Sequence, residues 1–108
     1  MDEVQKAGEA DNGGQVEVHL HQTLRVTLCE ARTAGFRWYL RTPMDPAVSL
    51  VDDGVLPPPA ERVGGTLVHH WDFRANKVGI TPIVFDYMRT WERESSPVRT
   101  FSLSVRVT

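Results

Sequence analysis

Four histidines and one cysteine are the side chains of this chain best suited to hold a metal or to serve as base and nucleophile. Their spacing argues against both roles. His19 and His21 fall on one outward face of a strand, spaced as a bidentate metal pair could be, but the sequence places no third ligand with them, and solvated surface histidines are far commoner. His69 and His70 are adjacent in a strand pattern and must point to opposite faces, so they cannot form one tight pair. Cys29 ends a strand with no activating motif around it and reads as a plain thiol. The chain has no Gly-x-Ser-x-Gly elbow, no phosphate-cradling glycine loop and no His-Glu-x-x-His motif, and no carboxylate pair sits in a framed pocket. Asp52-Asp53 and the charges from Glu92 to Glu94 read as solvated turns. The expectation is therefore a protein that is not an enzyme and uses no metal or cofactor. A metal-binding or redox domain built on His19, His21 and Cys29 stands as a minor rival.

The chain's 108 residues suffice for one core and are too few for two. Hydrophobic residues make up 41% and charged residues 24%, the balance of an ordinary globular domain. Twelve basic and fourteen acidic residues are mixed along the chain for a net charge of -2, which leaves no extended positive footprint for nucleic acid. No run approaches the roughly 20 apolar residues that span a bilayer, so no membrane partner is expected. With Cys29 as the single cysteine, no internal disulfide can form and stability rests on packing. The start, Met1-Asp2-Glu3-Val4-Gln5-Lys6, is acidic where a signal peptide is basic and has no apolar stretch behind it, so export is not encoded here. A cytoplasmic location is expected unless the chain is a trimmed mature form.

Residues 1–15 are polar and glycine-containing, with almost nothing to bury, and read as a flexible leader. From residue 16 to 108 alternation dominates. Val16, Val18 and Leu20 share one side of a strand; Leu24, Val26 and Leu28 repeat the pattern, as do Phe36, Trp38 and Leu40. A short strand at Ala47 to Val51 precedes the turn-like Asp52-Asp53-Gly54. In the strand from Thr66 to Ala75, Leu67, His69, Trp71 and Phe73 face one way, which puts Trp71 and Phe73 inside. Ile80 to Arg89 and Val98 to Val107 supply the last two strands, and Phe101, Leu103, Val105 and Val107 alternate most cleanly of all. About seven short strands without a credible helix predict an all-β, immunoglobulin-like antiparallel sandwich, with a barrel as the alternative.

Three connections are longer or more heavily decorated than hairpins need, and such loops usually carry function. They run from Glu30 to Phe36, from Leu56 to Gly65 and from Arg89 to Pro97. In a sandwich whose connections alternate between ends, all three emerge at the same end. Each also has a plainer reading. Gly35, Gly64 and Gly65 serve turns; Pro57-Pro58-Pro59 stiffens a spacer; Trp91, just past the last inward residue Tyr87, covers the core's edge.

Thr33-Ala34-Gly35-Phe36-Arg37-Trp38, Val63-Gly64-Gly65-Thr66, Val78-Gly79-Ile80-Thr81 and Arg89-Thr90-Trp91-Glu92 occur in an order and spacing that resembles the chagasin family of cysteine protease inhibitors. The resemblance covers roughly Val16 to Thr108. The family's first loop reads Asn-Pro-Thr-Thr-Gly-Phe or Tyr, and here Ala31, Arg32, Thr33, Ala34, Gly35 and Phe36 occupy those positions. Its third loop reads Arg-Pro-Trp, and here Thr90 stands in proline's place between Arg89 and Trp91. Losing both prolines removes two φ constraints from the free loops.

The resemblance implies a monomeric, reversible, competitive inhibitor of papain-like cysteine proteases that occludes the cleft. Thr33, flanked by Arg32, Ala34, Gly35 and Phe36, would enter near the catalytic cysteine. Val63, Gly64 and Gly65 would pair with substrate-binding backbone, and Arg89, Thr90 and Trp91 would pack on the other flank. The alternative is a non-inhibitory module of the same fold that binds another protein or a glycan.

Overall fold

Period-two alternation becomes two stacked sheets in the computed structural model, which describes residues 4–41, 47–56, 66–89 and 98–108. The strands are β1 (Val4–Ala7), β2 (Gln15–Val18), β3 (Thr23–Ala31), β4 (Phe36–Arg41), β5 (Val48–Leu56), β6 (Thr66–Ala75), β7 (Gly79–Arg89) and β8 (Arg99–Val107). One sheet has the order β1-β3-β6-β5 and the other β2-β8-β7-β4. All pairings are antiparallel except those of the two N-terminal edge strands, β1 on β3 and β2 on β8, which run parallel. The expected all-β sandwich is the fold, with β1 as a strand beyond those the alternation marks.

The inward faces follow the sequence pattern closely. Leu24, Val26 and Leu28 of β3 and Trp71, Phe73 and Ala75 of β6 meet Ile83, Phe85 and Tyr87 of β7 and Phe101, Leu103, Val105 and Val107 of β8, all buried. Phe85 is the hub. Its ring lies 4.6 Å from Trp71, 6.1 Å from Phe101 and 6.4 Å from Phe73, in tilted and edge-on arrangements that aromatic quadrupoles favour.

Three expectations need correction. Residues 4–14, read by composition as part of a flexible leader, hold a strand, a 3₁₀ turn at Glu9–Asp11 and a clasp on β8. In that clasp Gly13 N–H donates to the Ser102 carbonyl (2.7 Å), Ser102 N–H to Asn12 Oδ1 (2.9 Å) and Ser104 N–H to the Gly14 carbonyl (3.0 Å). Backbone pairing holds this segment, and a count of buriable side chains does not register it. Second, β2 stops at Val18. Gln22 N–H donates to the His19 carbonyl (2.9 Å), His21 takes φ 70°, and Leu20 is exposed, so His19 opens a tight turn, His21 lies within it, and the two do not share a strand face. Third, Asp52-Asp53-Gly54 is no turn. β5 continues to Leu56 alongside the ten-residue β6, absorbing a bulge between Leu50 and Asp52.

The outer face of each sheet carries a two-pronged arginine–aspartate pair. Arg41 reaches Asp86 at 2.7 and 2.9 Å, and Arg25 reaches Asp72, directly opposite it in the ladder, at 2.8 and 3.0 Å. Hydrogen bonds from Arg25 hold the Asp72 carboxyl below its ordinary value of 3.8, against the upward push of burial. A carboxyl depressed in the folded state stabilises above its unfolded value and loses that contribution as pH falls through its folded one. In urea unfolding from about pH 6 down to about pH 3, the Asp72→Asn variant should start less stable than wild type and the gap should close across the acid end. A gap that stays constant would show that the pair contributes packing and no charge pairing.

Candidate functional site

At the end of the sandwich where β3 hands over to β4, the chain crosses from one sheet to the other in four residues. Arg32–Ala34 form a 3₁₀ turn, closed by Gly35 N–H donating to the Arg32 carbonyl at 2.9 Å, and Gly35 takes the left-handed conformation with φ 86°. A glycine suits that position because a Cβ there meets steric strain. The ladder pairs Ala31 with Thr66, Leu56 with Val68, Phe36 with Arg89 and Tyr87 with Arg99. The strand ends from which residues 57–65 and 90–97 depart therefore lie at the same end as the turn.

Beneath the turn sits a carboxylate with no solvent access. Glu30 is 0% exposed, the fourth inward residue of β3 after Leu24, Val26 and Leu28. Sequence reading places it in the loop; it belongs to the strand. Its Oε2 accepts the Trp38 backbone N–H at 2.8 Å, its Oε1 accepts from Arg32 Nε at 3.0 Å, and His69 Nδ1 lies 2.9 Å from the same oxygen. His69 Nε2 is 2.9 Å from Asp53 Oδ2, and the imidazole stacks on Trp71 with ring centroids 4.0 Å apart and planes 5° from parallel. Arg32 Nη2 comes within 3.1 Å of His69 Nδ1. A buried charge is tolerated only when paired and hydrogen-bonded, and this one has a guanidinium, an imidazole and a backbone amide around it.

Two further bonds stitch the sheets together here, both to the last residues of β3, where β1 no longer runs alongside. Ala31 N–H donates to the Tyr87 hydroxyl at 2.8 Å, and Trp38 Nε1 donates to the Cys29 carbonyl at 2.9 Å. A column of rings and guanidinium groups continues across β4, β7 and β8. Arg89 lies over Phe36 (4.7 Å), Phe36 stacks on Tyr87 (5.2 Å), Tyr87 meets Trp38 (4.5 Å), and Arg99 covers Trp38 and Tyr87 at 5.4 and 5.0 Å. Arg89 Nε also donates to the Ala34 carbonyl at 3.3 Å, tying the end of β7 to the turn.

Of the residues singled out from sequence, Arg32, Thr33, Ala34, Gly35, Phe36 and Arg89 are brought together at this end, while Val63, Gly64, Gly65, Thr90 and Trp91 lie outside the described residues. Ala34 is exposed, Gly35 is half-buried, Phe36 and Arg89 are half-buried in the ring column, and the Arg32 side chain is 25% exposed and engaged inward. Glu30, His69 and Tyr87 were not singled out as functional. A signal existed: Glu30 and His69 are polar residues in phase with the inward apolar positions of β3 and β6, strands that pair with each other.

A model of the family described as Chagasin family peptidase inhibitor I42 matches residues 17–105. Amoebiasin-2 of Entamoeba histolytica is 26% identical over 99 residues, covering 90% of this chain and 80% of that protein. Among solved structures, the cysteine protease inhibitor EhICP2 from Entamoeba histolytica superposes with a TM-score of 0.83 at 22% identity, covering 97% of this chain and 95% of that one. The solution structure of Amebosin gives 0.72 at 20% identity over 96% and 97%. PbICP-C, solved in complex with falcipain-2, gives 0.65 at 14% identity over 99% and 91%.

Tyr87→Phe keeps the ring column but removes the hydroxyl that receives the Ala31 amide. It should cost about 1–3 kcal/mol in urea unfolding, the penalty of stranding a partly buried donor, and speed exchange of the Ala31 amide. Unchanged stability and exchange would mean that water replaces the hydroxyl at no cost.

Proposed function

Because the chain belongs to the chagasin family of peptidase inhibitors, and is thus an inhibitor and not an enzyme, we propose that it blocks papain-like cysteine proteases reversibly and competitively. The observation that carries the reading is the four-residue crossing at Arg32–Gly35, fastened from both sheets and placed at the end where the strands flanking residues 57–65 and 90–97 also terminate. A short turn fastened at both flanks in this way suits a cleft, because order present before binding is order that association need not create. The similarity to EhICP2, a cysteine protease inhibitor, and to PbICP-C, which forms a complex with falcipain-2, supports the same target class.

In this reading Thr33 enters the cleft near the catalytic cysteine, with Ala34 and Gly35 permitting close approach. Val63, Gly64 and Gly65 add strand-like backbone pairing on one flank. Arg89, Thr90 and Trp91 supply the other, an arginine and a tryptophan being the residues most favoured at binding hot spots. The domain acts as a monomer. No bond to the protease is made or broken, so activity returns on dilution.

Papain titrated with the purified domain against a fluorogenic peptide should lose activity competitively at submicromolar concentration and regain it on dilution. No loss at high concentration would overturn the proposal. Trp91→Ala and Thr33→Arg should each weaken inhibition by roughly thirtyfold or more, the effect of losing about 2 kcal/mol at a hot spot, with little change in melting temperature. A variant that unfolds instead would assign its residue to the core.

A further inference from the structure

The cluster under the turn does more than neutralise a buried charge. A short turn between two sheets has little stability of its own, since ordering each residue costs backbone entropy. Here the Glu30 carboxylate grips both flanks of the crossing at once: the first residue of the turn through Arg32 Nε and the third residue of β4 through the Trp38 amide. His69 from β6, held in turn by Asp53 of β5 and by its stack on Trp71, keeps the carboxylate and Arg32 in register with the neighbouring strands. Arg32 thus spends its guanidinium inside the protein, with a quarter of its side chain exposed.

We propose that Glu30, Arg32 and His69 are positioning residues that set the turn 32–35 in its binding shape before any partner arrives, and that Arg32 contributes through this anchor instead of through a direct contact. The inference rests on the turn's being the inhibitory element. Its consequence is kinetic: a pre-set turn associates quickly, and a released one must be ordered during encounter.

Two readouts on the intact domain test it, one of them independent of any protease. In amide hydrogen exchange on the free protein, Arg32→Ala should speed the Gly35 amide about tenfold, a local opening easier by about 1.4 kcal/mol, and leave the core amide of Phe85 unchanged. Glu30→Gln should act in the same direction on the Gly35 and Trp38 amides; if that variant fails to fold, Arg32→Ala, altering a partly exposed side chain, carries the test. Stopped-flow association with papain should slow by about the same factor in Arg32→Ala, with dissociation changed less. Arg32→Pro should restore the association rate, because proline is compatible with the first position of a helical turn and fixes φ without any side-chain contact.

Unchanged Gly35 exchange in Arg32→Ala would overturn the anchor. Faster exchange with an unchanged association rate would overturn its role in binding. Loss of association in Arg32→Pro equal to that in Arg32→Ala would identify Arg32 as a direct contact and overturn the positioning role. A wild-type domain that fails to inhibit papain counts against the inhibitor reading, and the exchange measurement still decides whether the turn is anchored.

Discussion

One carboxylate sealed between two β-sheets organises the end of this molecule where β3 crosses to β4. Glu30 occupies an inward position of β3, where leucine or valine would satisfy the packing pattern, and so must find charged and hydrogen-bonding partners inside the protein. Removing one partner from a buried charged pair typically costs about 3–5 kcal/mol, so such a group constrains its surroundings strongly. The partners it collects come from the turn, from β4 and from β6. Meeting all three requires that the crossing between sheets take one path. A hydrophobic residue in its place would pack as well but would leave that path unspecified.

The rest of the fold supplies a frame stiff enough for that constraint to matter. Phe85 and the rings around it fill the centre, while Arg25–Asp72 and Arg41–Asp86 brace the outer faces of the two sheets. The column from Arg89 through Phe36, Tyr87 and Trp38 to Arg99 carries the packing of the core out to the loop end. Trp38 belongs to both systems: its ring packs at a tilt in the column, its indole N–H donates to the Cys29 carbonyl, and its amide donates to Glu30. The loss of the family's first-loop proline, which by itself loosens the free loop, therefore coincides with an arginine at the same position that is fastened from within.

Much of the architecture was legible in residue order because a half-buried strand leaves a period-two record of itself. Phe101, Leu103, Val105 and Val107 alternate without interruption, and all four are buried. Where side-chain burial is not what holds a segment, the record fails. Val4–Ala7 joins β3 through backbone pairing, and the Asp52-Asp53-Gly54 stretch looks like a turn yet is drawn into β5 because β6 runs on beside it. The resemblance carried by Thr33-Ala34-Gly35-Phe36 and Arg89-Thr90-Trp91 pointed to the family, since motif order survives in the sequence whatever the fold does with each side chain.

What the amino-acid sequence by itself determined was seven of the eight strands and most of their inward faces, the absence of any internal disulfide and the family to which the loops belong, all properties written locally in residue type and spacing. Tertiary structure alone decided which side of Arg32 matters. Whether that guanidinium meets solvent, a protease or a buried carboxylate depends on Glu30, His69 and Asp53, which lie 2, 37 and 21 positions away in the chain and come together only when β3, β5 and β6 pair in register. Charge pairing inside a protein is a property of three-dimensional proximity and desolvation, and neither is encoded at the position of the residue itself.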